Sequence, residues 1–249
     1  MFAQHVPGNE TKLGPGETFS FSCHSDLACF NACCRNKYLP LTPYDVLRLK
    51  QGLRLSSDEF IARHTLYWMD PETGFPLIRL RMGEPPDGAC PFVSLEGCRV
   101  YHDRPTACRL YPLGRAVRRS ENNPDSDPFF FLMETPGCLG RHEGRVWSVK
   151  AWEDNQGLNP YERMNDRMLD VVFHAGRRAG RTLSEEQVRK VIVACYNLDV
   201  FREVVFSTRF IDAVQLDEAA RDRAAADDTA LLGLGMAYLE KALYARPAG

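Results

Sequence analysis

The sequence contains no uninterrupted apolar run near the ~20 residues that a membrane-spanning helix needs. Its opening stretch, MFAQHVPGNETKLGPGE, has no basic segment followed by an apolar one, so no secretion signal is expected. Neither sign of charge is in excess: 31 Lys and Arg stand against 33 Asp and Glu, a formal net charge of -2. Nothing in that balance drives the chain toward nucleic acid or an anionic membrane, and neither is expected as a partner. Enzyme signatures are missing too. There is no G-x-G-x-x-G opening a helix, no G-x-x-x-x-G-K-[ST], no G-x-S-x-G elbow and no C-x3-C-x2-C pattern of radical S-adenosylmethionine enzymes. Internal repeats, heptads and low-complexity tracts are also lacking. Gly233 and Gly235 form a lone glycine pair in a helical pattern, which close packing explains. A cytoplasmic location follows as the expectation. Thiols stay reduced there, and structural disulfides are uncommon.

Cysteine, by contrast, is abundant and unevenly placed. Eight of the nine cysteines lie between Cys23 and Cys138, and four of them, Cys23, Cys29, Cys33 and Cys34, share one twelve-residue run. The ninth, Cys195, falls on an apolar helical stripe with Val191, Ile192 and Leu198, where a thiol acts as a small core hydrophobe. The other eight sit beside turn residues. Cys90 precedes Pro91, Cys98 follows Gly97, Cys108 follows Arg104-Pro105-Thr106-Ala107, and Cys138 follows Pro136-Gly137. Rigid loops of this kind can aim sulfur inward, as metal knuckles require.

Thiolates select zinc, Cu(I) or iron–sulfur clusters over hard cations. Structural zinc prefers closely spaced ligand pairs, and the C-x5-C and C-x3-C intervals here match that only in part. Iron–sulfur ligation combines a close run with more distant cysteines, which is the form seen here, so an iron–sulfur cluster, four-iron in kind, leads and zinc follows. Neighbouring Cys33 and Cys34 side chains are expected to diverge, serving separate irons or separate metals. His24 is the alternative ligand to Cys23, and His102 is expected as a donor to a sulfur. Between Cys98 and Arg119 stand Arg99, Arg104, Arg109, Arg115, Arg118 and Arg119 against one acid, Asp103. Arg104 and Arg109, with His102, are therefore expected beside the cofactor, neutralising thiolate charge. An anionic ligand or an acidic protein partner docking there is the other reading.

Fold signals divide the chain. Residues 1–20 read as a tail, 21–140 as a loop-rich cysteine-cluster domain and 141–249 as a helical domain packed on it. The fold class is α+β. Thr42-Pro43-Tyr44-Asp45 caps a helix expected to stop at Gly52, and Ser56 with Glu59 opens a second. Strands are expected over 75–82, 114–118 and 129–133, with a loop over 120–128. Asn159-Pro160 starts a helix reaching Ala175, Ser184 to Gln187 caps another that extends to Leu198, and Asp228 to Tyr244 is the last.

One resemblance joins these pieces. Cys29-Phe30-Asn31-Ala32-Cys33-Cys34-Arg35, Leu41-Thr42-Pro43-Tyr44-Asp45, Cys90-Pro91-Phe92, Cys98-Arg99-Val100-Tyr101 and Arg104-Pro105-Thr106-Ala107-Cys108-Arg109-Leu110-Tyr111-Pro112 resemble, in order, the bacterial CxxCxxCC cysteine-cluster family, also called YkgJ-like zinc- or iron-chelating proteins. The likeness covers roughly residues 20–140 and implies metal chelation by clustered cysteines. Members are often labelled iron–sulfur oxidoreductases, and some larger relatives are similar to flagellin lysine methylases. The chain departs from the motif at Cys23, which five residues separate from Cys29 where two or three are usual. Three functions follow as expectations: an iron–sulfur protein with a redox or protein-modification-support role, a structural zinc module that binds a protein partner, or a methyltransferase-like modifying enzyme.

Overall fold

The computed structural model describes residues 11–14, 16–117, 128–142, 144–174, 182–207 and 217–244. The strands are β1 (Lys12–Leu13), β2 (Thr18–Ser20), β3 (Pro40–Leu41), β4 (Thr65–Met69), β5 (Pro76–Leu80), β6 (Val93–Ser94), β7 (Gly97–Cys98), β8 (Leu113–Ala116), β9 (Phe129–Leu132) and β10 (Val146–Ser148). The helices are α1 (Pro43–Leu53), α2 (Ser57–His64), α3 (Thr106–Leu110), α4 (Val149–Gln156), α5 (Asn159–Val172), α6 (Glu185–Cys195), α7 (Leu198–Ser207), α8 (Glu218–Ala226) and α9 (Asp228–Tyr244). Single 3-10 turns cover Ala32–Cys34, Tyr101–Asp103 and Leu139–His142. The class is α+β. Among the described residues no helix is long and apolar enough to cross a membrane.

Two compact units emerge, and neither is continuous in sequence. One combines residues 1–39 with 81–162, the other 40–80 with 163–249. Cuts near 20 and 140, as the sequence suggests, are a different division. Residues 40–80 have helix caps and one alternating strand of their own, but their buried faces are completed by distant helices.

In the first unit β1, β9 and β8 form an antiparallel sheet, β2 pairs with β10, and β6 with β7 makes a short hairpin. Phe19, Phe21, Leu110, Leu113, Trp147, Trp152 and Leu158 build its core. The aromatic rings meet edge to face, Trp147 on Trp152 at 5.2 Å and Phe21 on Trp152 at 5.5 Å, the geometry their quadrupoles favour. Both indole N–H groups are satisfied: Trp147 donates to the Phe21 carbonyl and Trp152 to the Leu110 carbonyl, each at 2.9 Å. Its first contribution from the chain ends at Phe21, two residues before Cys23.

In the second unit β5 lies between β3 and β4, and its buried Pro76, Ile78 and Leu80 alternate with Leu77 and Arg79. Capping boxes at Thr42/Asp45, Ser56/Glu59 and Ser184/Gln187 start α1, α2 and α6. Helix α1 passes through Gly52 and ends one turn-position later, where Arg54 takes the left-handed conformation (φ 56°). The sixth helix ends at Cys195 and Leu198 opens α7, so the expected single stripe is two helices. Ala175, Arg118, Arg119 and the expected loop at 120–127 lie outside the described residues. Gly235 permits close packing of α9 on α6, since a Cβ there would stand 2.2 Å from the Ala194 carbonyl oxygen.

An ion cluster pins this unit. The nearly buried Lys50 ammonium lies 2.9 Å from Asp199 and 3.5 Å from Asp228, and Arg202 reaches Asp228 at 2.5 Å. Asp199 also accepts from the Ser57 backbone at 2.5 Å. Burial opposes ionisation of both carboxyls, but these donors outweigh it and hold them below the ordinary 3.8. Removing one partner of a buried pair costs about 3–5 kcal/mol. Because Asp199 is 39% exposed, solvent screening lowers the expected loss for Lys50→Met to about 2 kcal/mol, read by urea unfolding. A depressed carboxyl contributes stability above its unfolded pKa and loses it as pH falls through the folded value. The gap between wild type and Lys50→Met should therefore be full at neutral pH and narrow below pH 4.

Candidate metal centre

All nine cysteines are free thiols. Eight of them stand in the first unit, Cys98 on β7, Cys108 on α3 and the others on loops and a 3-10 turn, and hydrogen bonds between distant segments hold these stretches together. From His24 to Cys34 the chain makes successive tight turns: Leu27 N–H to His24, Phe30 N–H to Leu27, Ala32 N–H to Cys29 and Cys34 N–H to Asn31, at 2.8–3.3 Å. Asn31 adopts the left-handed conformation (φ 65°), which asparagine tolerates, and its side-chain amide donates to the Ser94 carbonyl at 3.0 Å. The run is thereby tied to the β6–β7 hairpin carrying Cys98.

Two further seams complete the arrangement. Cys90 N–H donates to the Cys34 carbonyl at 2.8 Å, beside an antiparallel bridge between Arg35 and Ala89. Ser22 N–H donates to the Gly140 carbonyl at 2.9 Å, and Leu139 N–H points at the Cys29 sulfur at 3.3 Å. Gly140 is required for that approach, because a Cβ would stand 2.5 Å from the Ser22 carbonyl oxygen. The segment after Cys138 thus lies against the segment holding Cys23 and Cys29. Cys108 sits on α3, its N–H bonded to Pro105 at 2.9 Å.

The thiols form one electrostatic neighbourhood. Burial, then Cys33, Cys29 and Cys138, push the Cys23 thiol above its ordinary range. Cys33 and Cys34, adjacent on the 3-10 turn at Ala32–Cys34, interact through their thiols. That contact lowers Cys33 to about 6 and raises Cys34, with burial, Cys90 and Cys108 adding to the rise. Burial raises Cys90 and Cys98 as well. Among the described residues, no group of three His, Cys, Asp or Glu side chains stands ready-made to hold a metal ion. As a donor set, eight free, soft thiols suit zinc or iron.

The other expected site residues have structural partners. Arg104 is buried, donates to the Tyr101 carbonyl at 2.6 Å and to the Gln156 side chain, and stacks 3.8 Å over the Tyr101 ring. Its charge still acts on Cys98 and Cys108. Arg109 donates to the carbonyls of Arg104, Gln156 and His102 and lies 4.6 Å over the Tyr161 ring. His102 supplies that backbone carbonyl, while its ring stands edge-on to Tyr101 at 5.9 Å. His24 faces Asp26 at 3.7 Å on the surface. Arg99 donates to the Pro91 carbonyl and Arg115 pairs with Glu162 at 3.6 Å. Cys195 is fully buried beside Met168 (3.9 Å), and burial pushes its thiol well up, as a core residue requires.

Sequence reasoning missed three participants: the Leu139 N–H, Gly140 and Tyr111. Tyr111 lies against the core and beside Cys138; burial first, then that thiol, raise its phenol. Only the turn signal Pro136-Gly137 hinted at this side of the site.

Residues 22–128 match the CxxCxxCC family, described as "Putative zinc- or iron-chelating domain". The match spans Cys23, Cys29, Cys33, Cys34, Cys90, Cys98 and Cys108, and Cys138 lies beyond it. No curated protein and no solved structure matches the chain.

The thiolate, not the thiol, is the nucleophile. In metal-free protein Cys33 should therefore be the thiol that iodoacetamide modifies first at pH 7. Its rate should rise through about pH 6 and level off above, as the group ionises. Peptide mapping checks this, and preferential labelling of Cys34 would contradict it.

Proposed function

We propose, on the premise that residues 22–128 belong to the zinc- or iron-chelating CxxCxxCC family, that this protein holds an iron–sulfur cluster through its clustered thiols and serves a redox or protein-modification-support role. One observation supports this reading: backbone hydrogen bonds tie the stretch of Cys34 to that of Cys90 and the stretch of Cys23 to that following Cys138, with a backbone N–H directed at the Cys29 sulfur. N–H donors to sulfur and nearby positive charge are levers that set a cluster's potential. Leu139 supplies the first of these and Arg104, beside Cys98 and Cys108, the second. When bound, such a cluster supplies one-electron chemistry. The chain's own residues aim the sulfurs, bury them in part and tune their charge. Arg109 acts at one remove, locking the backbone from His102 to Arg104.

A structural zinc module that mediates protein interaction is the second reading, favoured by the all-sulfur donor set. It fits less well with the first unit's own aromatic core, since domains that use zinc as their staple usually lack one.

Anaerobic purification separates the two. Brown protein containing iron and acid-labile sulfide is expected, whereas colourless protein with stoichiometric zinc would refute the cluster. Cys195→Ser should cost about 1–3 kcal/mol, the price of an unpartnered buried hydroxyl, yet leave metal content unchanged. Loss of metal from that variant would contradict the assignment.

A further inference from the structure

The three-stranded sheet of the second unit ends on β4. That strand, Thr65-Leu66-Tyr67-Trp68-Met69, carries no charge, no proline and no glycine. It pairs with β5 residue for residue, without a bulge. Edge strands are ordinarily guarded by lysine, proline, a bulge or extreme shortness, which stop another strand from adding to them. The opposite edge, β3, is guarded in two of these ways, being short and opening on Pro40. The β4 edge has no such guard.

Register decides which of its backbone groups face outward. Just beyond the paired residues, Asp70 N–H donates to the Phe75 carbonyl at 2.9 Å. Bonded and non-bonded pairs alternate along an antiparallel ladder. Trp68 with Leu77 and Leu66 with Arg79 are therefore the bonded pairs, and Tyr67 and Met69 occupy non-bonded positions. Pro76, which has no N–H, stands opposite Met69, as that pattern permits. The N–H and C=O of Tyr67 and Met69 thus point to the outer edge, where no described strand pairs with them. Their side chains share a face with the buried Ile78 and Pro76, yet remain 52% and 39% exposed. Among the described residues of the second unit, no other large apolar side chain is as exposed. The Tyr67 hydroxyl, 2.8 Å from the Met69 sulfur, joins the two into one apolar shelf.

We infer that β4 is a dimerisation edge, pairing antiparallel with β4 of a second copy about a twofold axis at Tyr67. In that register Tyr67 meets its own copy, Leu66 falls opposite Trp68, and each Met69 N–H meets the Thr65 carbonyl of the other chain. The ladder stops there, because the Thr65 N–H already donates to the Ile61 carbonyl. The strand's own sequence selects this occupant. Both shelves lie on the same face of the joined sheet, so each covers the other. The ends also complement one another in charge. Arg63 and His64 precede the strand, Asp70 and Glu72 follow it, and antiparallel pairing sets one copy's basic end beside the other's acidic end. Such an isologous contact is the commonest form of self-association.

Sedimentation equilibrium of the full chain under reducing conditions tests the association. A monomer–dimer equilibrium is expected, and a chain that stays monomeric at every concentration overturns the inference, even if its β4 binds a separate extended peptide. Hydrogen exchange on the unaltered protein locates the contact. The Tyr67 and Met69 amides should gain protection as concentration rises through the dissociation constant; a dimer in which both exchange freely would place the interface elsewhere and refute the pairing. Tyr67→Lys removes the aromatic cross-strand pair and sets like charges directly opposite. It should raise the dissociation constant at least about tenfold with the circular dichroism of the wild type retained. Unchanged dimerisation of that folded variant would contradict the assignment of β4.

Discussion

The metal-binding unit depends on backbone hydrogen bonds that cross between loops far apart in sequence. A loop buried beside other loops must satisfy its own N–H and C=O groups, because each one left unpaired costs about as much as a lost hydrogen bond. Here those bonds run from Ser22 to Gly140, from Asn36 to Gly88 and from Cys90 to Cys34. They therefore do two things at once. They satisfy irregular backbone that no helix or sheet supports, and they fix the positions from which the sulfurs project. Gly140 shows how little tolerance is left, since even a methyl group there would meet the Ser22 carbonyl.

Charge gives the same loops a reason to bind a cation. The thiols oppose one another's ionisation, Cys23 being held up by three neighbours and Cys34 by Cys33, Cys90 and Cys108. The arginines that could offset accumulating negative charge are largely committed elsewhere. Arg109 spends its donors on three carbonyls, and Arg104 is bonded to Tyr101 and Gln156. Their work is to hold the backbone that carries Cys98 and Cys108, with Arg104 contributing only part of the balancing charge. Collective deprotonation of these thiols requires a cation at the sulfurs themselves. Metal affinity and proton release are then two sides of one equilibrium.

Much of this was legible in the sequence where the signal is local. Three capping boxes start the helices where Thr42, Ser56 and Ser184 stand. The alternation of Pro76, Ile78 and Leu80 marks a strand because a half-buried strand must alternate. Gly52 misled, because the left-handed position fell on Arg54, where backbone bonds to Lys50 and Gln51 rather than glycine's freedom close the helix. Strand β4 was not foreseen, since its exposed Tyr67 and Met69 break the expected polar alternation. The grouping of 40–80 with 163–249 was also hidden, because it rests on long-range packing that no local pattern records. At the site, clustering and turn residues revealed the eight thiols. The contributions of Leu139 and Gly140 come from an N–H and from a missing side chain, which composition does not reveal.

The aromatic core of the first unit bears on what the thiols are for. Small metal-stapled domains owe their fold to the ion because they bury too little apolar surface without it. This unit buries Phe19, Phe21, Leu113, Trp147 and Trp152 together, with both indoles hydrogen-bonded, and Phe21 stands two residues before the first cysteine. A core of that kind supports the strands β2 and β10 independently of any ion. The loops between Cys23 and Cys34 are then the part whose order metal would complete. An ion bound there is held by a scaffold that already exists, so its binding energy goes into ordering the ligands rather than folding the unit. Several of the sulfurs it would order, Cys23 and Cys33 among them, are exposed in the absence of an ion.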